Sequence, residues 1–173
     1  MSRIVSYQPL NKADFKRVNE EAITETFPLE PHDLDQLDYP ETFILPNGGA
    51  ILLAEQDGQI VGTVAMVNTG PGDYELIKVA VLRAYRGMGI GRQLCEAAID
   101  FARKNKAKKV WLEANSALTT AIHIYESLGF KHVPLTPSLY SRADVRMELN
   151  LSDAGRWMPQ AAETRPSYIR RKF

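Results

Sequence analysis

Val79-Ala80-Val81-Leu82-Arg83-Ala84-Tyr85-Arg86-Gly87-Met88-Gly89-Ile90-Gly91-Arg92, continuing into Gln93-Leu94-Cys95-Glu96-Ala97-Ala98-Ile99, reads as a strand, a short turn, three alternating glycines and the start of an amphipathic helix. Glycine lets a backbone take positive φ and approach a ligand closely. The first N–H groups of the helix have no partner within it and carry the positive end of its dipole. A strand that feeds a glycine turn onto a helix start is therefore an anion site suited to a pyrophosphate. The dinucleotide fingerprint needs glycines at offsets 0, 2 and 5, and the Walker A loop needs Gly-Lys-Ser/Thr. Here the offsets are 0, 2 and 4 and no Lys-Ser or Lys-Thr follows, so both nucleotide readings fail.

Working outward, Tyr74 to Leu82 is the strand that enters this turn, and Ile90 to Asn105 is a long helix with Leu94, Ala97, Ala98, Phe101 and Ala102 on its inner face. Val110 to Ala114 is the next strand, which makes a βαβ unit with a parallel strand pair. Upstream, Ala50–Glu55 and Ile60–Val67 flank Asp57-Gly58, a hairpin turn signal. Ile4–Tyr7 is a short first strand. Asn11 reads as the N-cap of a helix over about 12–25, which Pro28 closes. Residues 28–47, rich in Pro, Asp and Glu, are expected to be a loop with at most one helical turn, and loops of that length tend to serve function. Downstream come a helix from Ser116 or Leu118 to about Leu128, ended by Gly129, then strands at Phe130–Val133 and Val145–Leu151. The stretch 152–173 has no period.

The 173 residues suit one domain with a single core. Apolar residues make up 45% and charged residues 24%, as in globular chains. The formal net charge is zero, which argues against nucleic acid or an anionic membrane as the main partner. No apolar run approaches ~18 residues and the N-terminus lacks a signal-peptide core, so a cytoplasmic location is expected. One cysteine precludes an internal disulfide, and Cys95 reads as a small core residue. His32, His123 and His132 are too scattered for a metal site, so no metal is expected.

Arg86-Gly87-Met88-Gly89-Ile90-Gly91 resembles the coenzyme A loop of the GCN5-related N-acetyltransferases (GNAT), Gln/Arg-x-x-Gly-x-Gly/Ala. Four further segments share the likeness: the hairpin around Asp57-Gly58 with Gly48-Gly49 before it, the strand Tyr74–Val81, the Asn115/Ala121/Ile124-Tyr125-Glu126 segment, and Leu128-Gly129-Phe130. The resemblance spans about 4–151. It implies a single α/β domain over 3–151, with a mixed, mostly antiparallel twisted sheet of six to seven strands, about four flanking helices, and a splayed parallel strand pair at the coenzyme site. Residues 152–173 would be a tail of unassigned role.

The same resemblance implies an acetyl-CoA-dependent N-acetyltransferase. Val79, Ala80 and Val81 would pair with the pantetheine arm and polarise the acetyl oxygen. The N–H groups of Gly87, Met88, Gly89, Ile90, Gly91 and Arg92 would cradle the diphosphate. The Arg86 or Arg92 side chain would add a charge-assisted contact, or else be solvated. Tyr125 would be the general acid for the leaving thiolate. Asn115 would hold pantetheine or a water, or would cap a helix. Glu75 is the candidate base, because a carboxylate in a cleft strand needs a reason; the bland alternative is a surface ion pair, and Glu113 is a second candidate. Strict alternation would put Glu75, Ile77 and Val79 on one face and Leu76, Lys78 and Ala80 on the other. Tyr140, Arg142 and Asp144 would read a substrate carboxylate or amine, or form a polar hairpin.

No activated Cys or Ser nucleophile stands out, so the expected route is direct attack of an amine on the thioester in a ternary complex. The expected acceptor is a small-molecule primary amine. A protein N-terminus or lysine, or a non-catalytic acyl-CoA-binding module, are the rival readings. Homodimers are common in the family and remain open here.

Overall fold

The computed structural model describes residues 1–152. The stretch carrying Trp157, Tyr168 and the Arg170-Arg171-Lys172 cluster lies outside the described residues.

Seven strands form one sheet in the order β1-β2-β3-β4-β5-β7-β6. They are β1 (Arg3–Ser6), β2 (Ala50–Gln56), β3 (Gln59–Gly70), β4 (Asp73–Val81), β5 (Lys109–Ala114), β6 (Lys131–Val133) and β7 (Val145–Asn150). The helices are α1 (Lys12–Thr24), α2 (Pro31–Asp38), α3 (Pro40–Phe43), α4 (Ile90–Lys104) and α5 (Thr119–Ser127). Every neighbouring pair is antiparallel except β4 with β5. The mixed, mostly antiparallel sheet is thus as expected from the resemblance.

The β2–β3 hairpin closes as its sequence requires. Asp57 (φ 54°) and Gly58 (φ 76°) are both left-handed, with Gln56 paired to Gln59. That is the type I′ geometry whose twist matches the flanking strands. Ile60 through Met66 are all buried, because both faces of the sheet are covered. Thr63 hydrogen-bonds Asn19 of α1, whereas neighbouring Gly62 backs onto Leu94 of α4. Successive strand residues point to opposite faces, so α1 and α4 lie on opposite sides of the sheet.

Two expectations need correction. Residues 28–47 are not an open loop but hold α2 and α3. Pro31 sits at the first helical position, and the Asp33 carboxylate accepts the Glu30 N–H at 2.9 Å, a proline start with a side chain bonding back across the first turn. Asn11 does not cap α1 with its side chain. Its Oδ1 accepts the Gln8 N–H at 2.8 Å and closes a 3-10 turn over Pro9–Asn11 that leads into the helix.

β4 carries the feature that matters most for the site. Ala80 faces Thr63 and Ile77 faces Ala65, so Lys78 and Val79 together oppose one residue of β3. Lys78 takes φ 56° at this bulge. The extra residue breaks the alternation, so the expected separation of Glu75 from Lys78 does not hold and both line the same cleft. A buried polar relay holds the bulge. The Thr63 hydroxyl donates to the Lys78 carbonyl at 2.7 Å, and Asn19 Nδ2 donates to Thr63 Oγ1 at 3.0 Å and to the Phe15 carbonyl at 2.9 Å.

Candidate active site

The glycine turn is built as an anion cradle. Gly87 (φ 79°) and Gly89 (φ 81°) are both left-handed, and a Cβ at either would meet open space. Among the described residues, none of the six successive N–H groups from Gly87 to Arg92 donates a hydrogen bond to the protein; the helical ladder begins with Gln93 N–H to the Gly89 carbonyl. A run of six unpartnered donors at a helix start suits two linked phosphates. The flanking arginines are engaged elsewhere. Arg86 donates to Glu25 at 2.6 Å and to the Val81 carbonyl at 3.0 Å. Arg92 donates to Ser127 Oγ at 2.6 Å and pairs with Glu96 at 3.3 Å. Glu25 also takes Arg83 at 2.6 Å, which ties the end of α1 to the turn.

From this turn β4 runs back along a cleft. β4 and β5 pair only from Asp73–Glu75 to Lys109–Trp111, and beyond them the strands part. The edge of β4 that faces β5 is therefore unpaired past Glu75, a template for an extended polar chain. The cleft, about 170 Å³, lies between these strands and under α1. Glu75, Val79, Ala80, Asn115 and Tyr125 all line it. Val81 stands at its other end, with Cγ2 3.9 Å from where a Gly91 Cβ would lie.

Glu75 is a half-buried carboxylate. Burial, and then the charge of Glu113, push it up to about 7 against the opposing pull of Lys78 and Arg146. Glu113 Oε1 accepts the Ser138 hydroxyl at 2.6 Å. Tyr125 is buried with its ring edge-on to Phe130 at 5.9 Å. Burial drives its phenol far above the ordinary tyrosine value, so it stays protonated. Its hydroxyl makes no hydrogen bond to the described residues and is not sealed from solvent. Asn115 caps no helix. Its Nδ2 donates to the Arg142 carbonyl at 2.7 Å and its Oδ1 accepts the Ala117 N–H at 2.8 Å. Cys95 is in the core, where burial pushes its thiol up to about 12.

α2 and the 138–144 loop roof the far end of the cleft, and ionic contacts join them. Asp33 Oδ1 accepts Lys78 Nζ at 2.8 Å. Both Asp33 oxygens accept the Arg142 guanidinium end-on, each at 2.8 Å. Burial alone would raise Asp33, but the two cations outweigh it and hold the carboxyl well below the ordinary range. Arg142 also donates to Glu30 at 3.3 Å. Tyr140 donates to Gln36 at 2.6 Å and accepts from Lys78 at 3.2 Å. Of the three candidate acceptor readers, Tyr140 and Arg142 line the cleft, whereas Asp144 accepts the Ser116 N–H and hydroxyl and anchors the loop.

The seven-stranded sheet thus has one splayed parallel pair, with a row of unpartnered N–H groups at its mouth. Residues 14–130 match the model of the Acetyltransferase (GNAT) family. The chain belongs to the GNAT family. It is 37% identical over 109 residues to "Probable N-acetyltransferase camello" of Xenopus tropicalis, covering 61% of this chain and 50% of that protein. The chain thus spans about half the length of that curated relative. A GNAT acetyltransferase from Staphylococcus aureus Mu50 superposes with TM-score 0.79 at 21% identity, over 87% of this chain and 99% of its own. A Salmonella typhimurium protein solved with its cofactor acetyl-CoA superposes with TM-score 0.71 at 21% identity, over 87% and 94% of the two chains.

Sequence reasoning missed Asn19, Thr63, Asp33 and Gln36, and it put Lys78 on the wrong face. Glu30-Pro31-His32-Asp33 carried a legible helix-start signal. Nothing local marked Thr63 or the bulge. Among the described residues no three His, Cys, Asp or Glu side chains gather as a metal-ligand set, and no helix is long and apolar enough to cross a membrane.

Proposed function

We propose that this GNAT domain transfers an acetyl group from acetyl-CoA to the primary amine of a small metabolite, by direct attack in a ternary complex. The observation that carries this reading is the row of six unpartnered N–H groups from Gly87 to Arg92, opening onto the unpaired edge of β4. The cradle suits the diphosphate of coenzyme A, and the open edge suits the amide-bearing pantetheine arm. Val79, Ala80 and Val81 supply that edge, and a backbone N–H there polarises the thioester oxygen.

Glu75 takes a proton from the incoming ammonium. A carboxyl raised to about 7 is matched to that task at neutral pH. The freed amine attacks the thioester carbonyl, a C–N bond forms and the C–S bond breaks. Tyr125 hands its proton to the departing sulfur, for which its unengaged hydroxyl is suited, and the second proton shed by the new amide nitrogen restores the phenol. Asn115 supports the cleft wall rather than a helix start. The Arg86 and Arg92 side chains serve the turn through Glu25, Val81, Ser127 and Glu96, which leaves the diphosphate to the backbone.

The roof over the far end of the cleft favours a small acceptor over a protein terminus or lysine. Asp33 bonds both Lys78 and Arg142, which fastens α2 and the 138–144 loop over that end. The test is thiol release from acetyl-CoA across a library of small amines and a set of peptides. Turnover of amines with intersecting initial-velocity lines is expected. Parallel lines with a covalent acetyl-enzyme, or turnover of peptides alone, would reverse the assignment.

A further inference from the structure

Arg142 has more donors than its structural partners use. Its two terminal nitrogens grip Asp33 end-on at 2.8 Å each, and a second hydrogen of Nη1 points to Glu30 at 3.3 Å. A guanidinium carries five N–H bonds. The two left over, on Nε and on Nη2, lie parallel along one side of the plane and form a second carboxylate-matching fork. Among the described residues nothing accepts from that side. Nε is not sealed from solvent, the side chain is 18% exposed, and the residue lines the cleft. The plane is firmly held: its central carbon is 4.5 Å from the Tyr140 ring centre and 5.9 Å from that of Phe27. Lys78, by contrast, is committed inward to Asp33 and Tyr140, with its side chain 4% exposed.

Resting on the acetyl-transfer reading, we propose that the open side of the Arg142 guanidinium receives a carboxylate of the acceptor. The substrate class is then an amino acid rather than a simple alkylamine. The cleft offers both charges such a dipolar molecule needs: Glu75 and Glu113 for the ammonium and Arg142 for the carboxylate. Asp33 and Glu30 serve as the positioning residues that orient the fork.

The experiment compares the proteinogenic amino acids as free acids and as their methyl esters, by thiol release from acetyl-CoA with the full chain. At least one free acid is expected to exceed its ester in kcat/KM by roughly 10- to 100-fold, the worth of charge-assisted hydrogen bonds. Arg142→Lys keeps the charge but loses the fork. It is expected to erase most of that ratio through KM while calorimetric binding of coenzyme A stays unchanged. Esters and alkylamines turned over as well as acids would overturn the inference and leave acetyl transfer standing. A ratio that survives Arg142→Lys would overturn it too. No amine of any kind acetylated would take down the acetyl-transfer reading itself. Because the acid-to-ester comparison is made on the unaltered protein, it decides even if the variant does not fold.

Discussion

Asp33 and Lys78, 45 residues apart in the chain, meet at 2.8 Å with side chains 0% and 4% exposed. This ion pair fastens α2 to the bulge of β4, and Arg142 joins it from the 138–144 loop. A buried pair of this kind does not itself promise stability, since desolvation offsets the attraction. Breaking it from one side is different, because Lys78 would lose its counter-ion and Arg142 would keep only the longer contact to Glu30.

Asp33→Ala is accordingly expected to cost roughly 3–5 kcal/mol, read from urea unfolding. The sign of its pH dependence follows from a carboxyl held below its ordinary range in the folded chain. The contribution is full above the ordinary Asp value of about 4. It declines as pH falls from there toward the depressed native value. A variant as stable as the parent at pH 7 would show that the triad is not what holds α2 down.

Glu75→Gln is expected to lower kcat by about 10²- to 10⁴-fold with coenzyme A affinity unchanged by calorimetry. In the parent, activity should rise with pH through about 7, where Glu75 loses its proton. That limb should vanish from the residual activity of the variant. An unaltered limb would take the base role away from Glu75.

Tyr125→Phe removes a hydroxyl that bonds nothing in the described protein. Stability is therefore expected to change by less than about 1 kcal/mol. A kcat loss of about 10²-fold or more with unchanged KM would mark the hydroxyl as the proton donor. Full activity would leave the sulfur to solvent.

Gly89→Ala and Gly58→Ala form a matched pair. Both positions are left-handed, φ 81° and 76°, with open space where a Cβ would go. Each should lose about 1–2 kcal/mol from backbone strain. Only Gly89→Ala should also weaken coenzyme A binding, by roughly tenfold or more, because its methyl would stand where the backbone must approach phosphate. Equal affinity in the two variants would take the diphosphate away from this turn.

Much of this was readable in the residues. The turn at Asp57-Gly58, the strand into the glycine turn and α4 all stand within a residue of their expected places, while β3 runs three residues past its expected end to Gly70; each agreement rests on a local rule: a two-residue turn, a period of two, a period of 3.6. Glu75, Val79, Ala80, Asn115 and Tyr125, picked from separate segments by resemblance, line one cleft. Lys78 shows where that logic ends. Strict alternation sets it opposite Glu75, yet Thr63 and Asn19, distant in sequence, hold an extra residue in β4 and turn the lysine toward Asp33. The α2 segment failed differently: its start signal is local, but its apolar stripe is too short to announce itself.

By itself, then, the order of residues dictated the turns, the periodic elements and the run of backbone donors at the glycine turn, since these depend on neighbours a few positions away. Which carboxylate faces which cation, and which side of a guanidinium stays open, was settled only when β3, β4, α2 and the 138–144 loop came together. Charges act through space, over a few ångströms that the chain crosses only after folding.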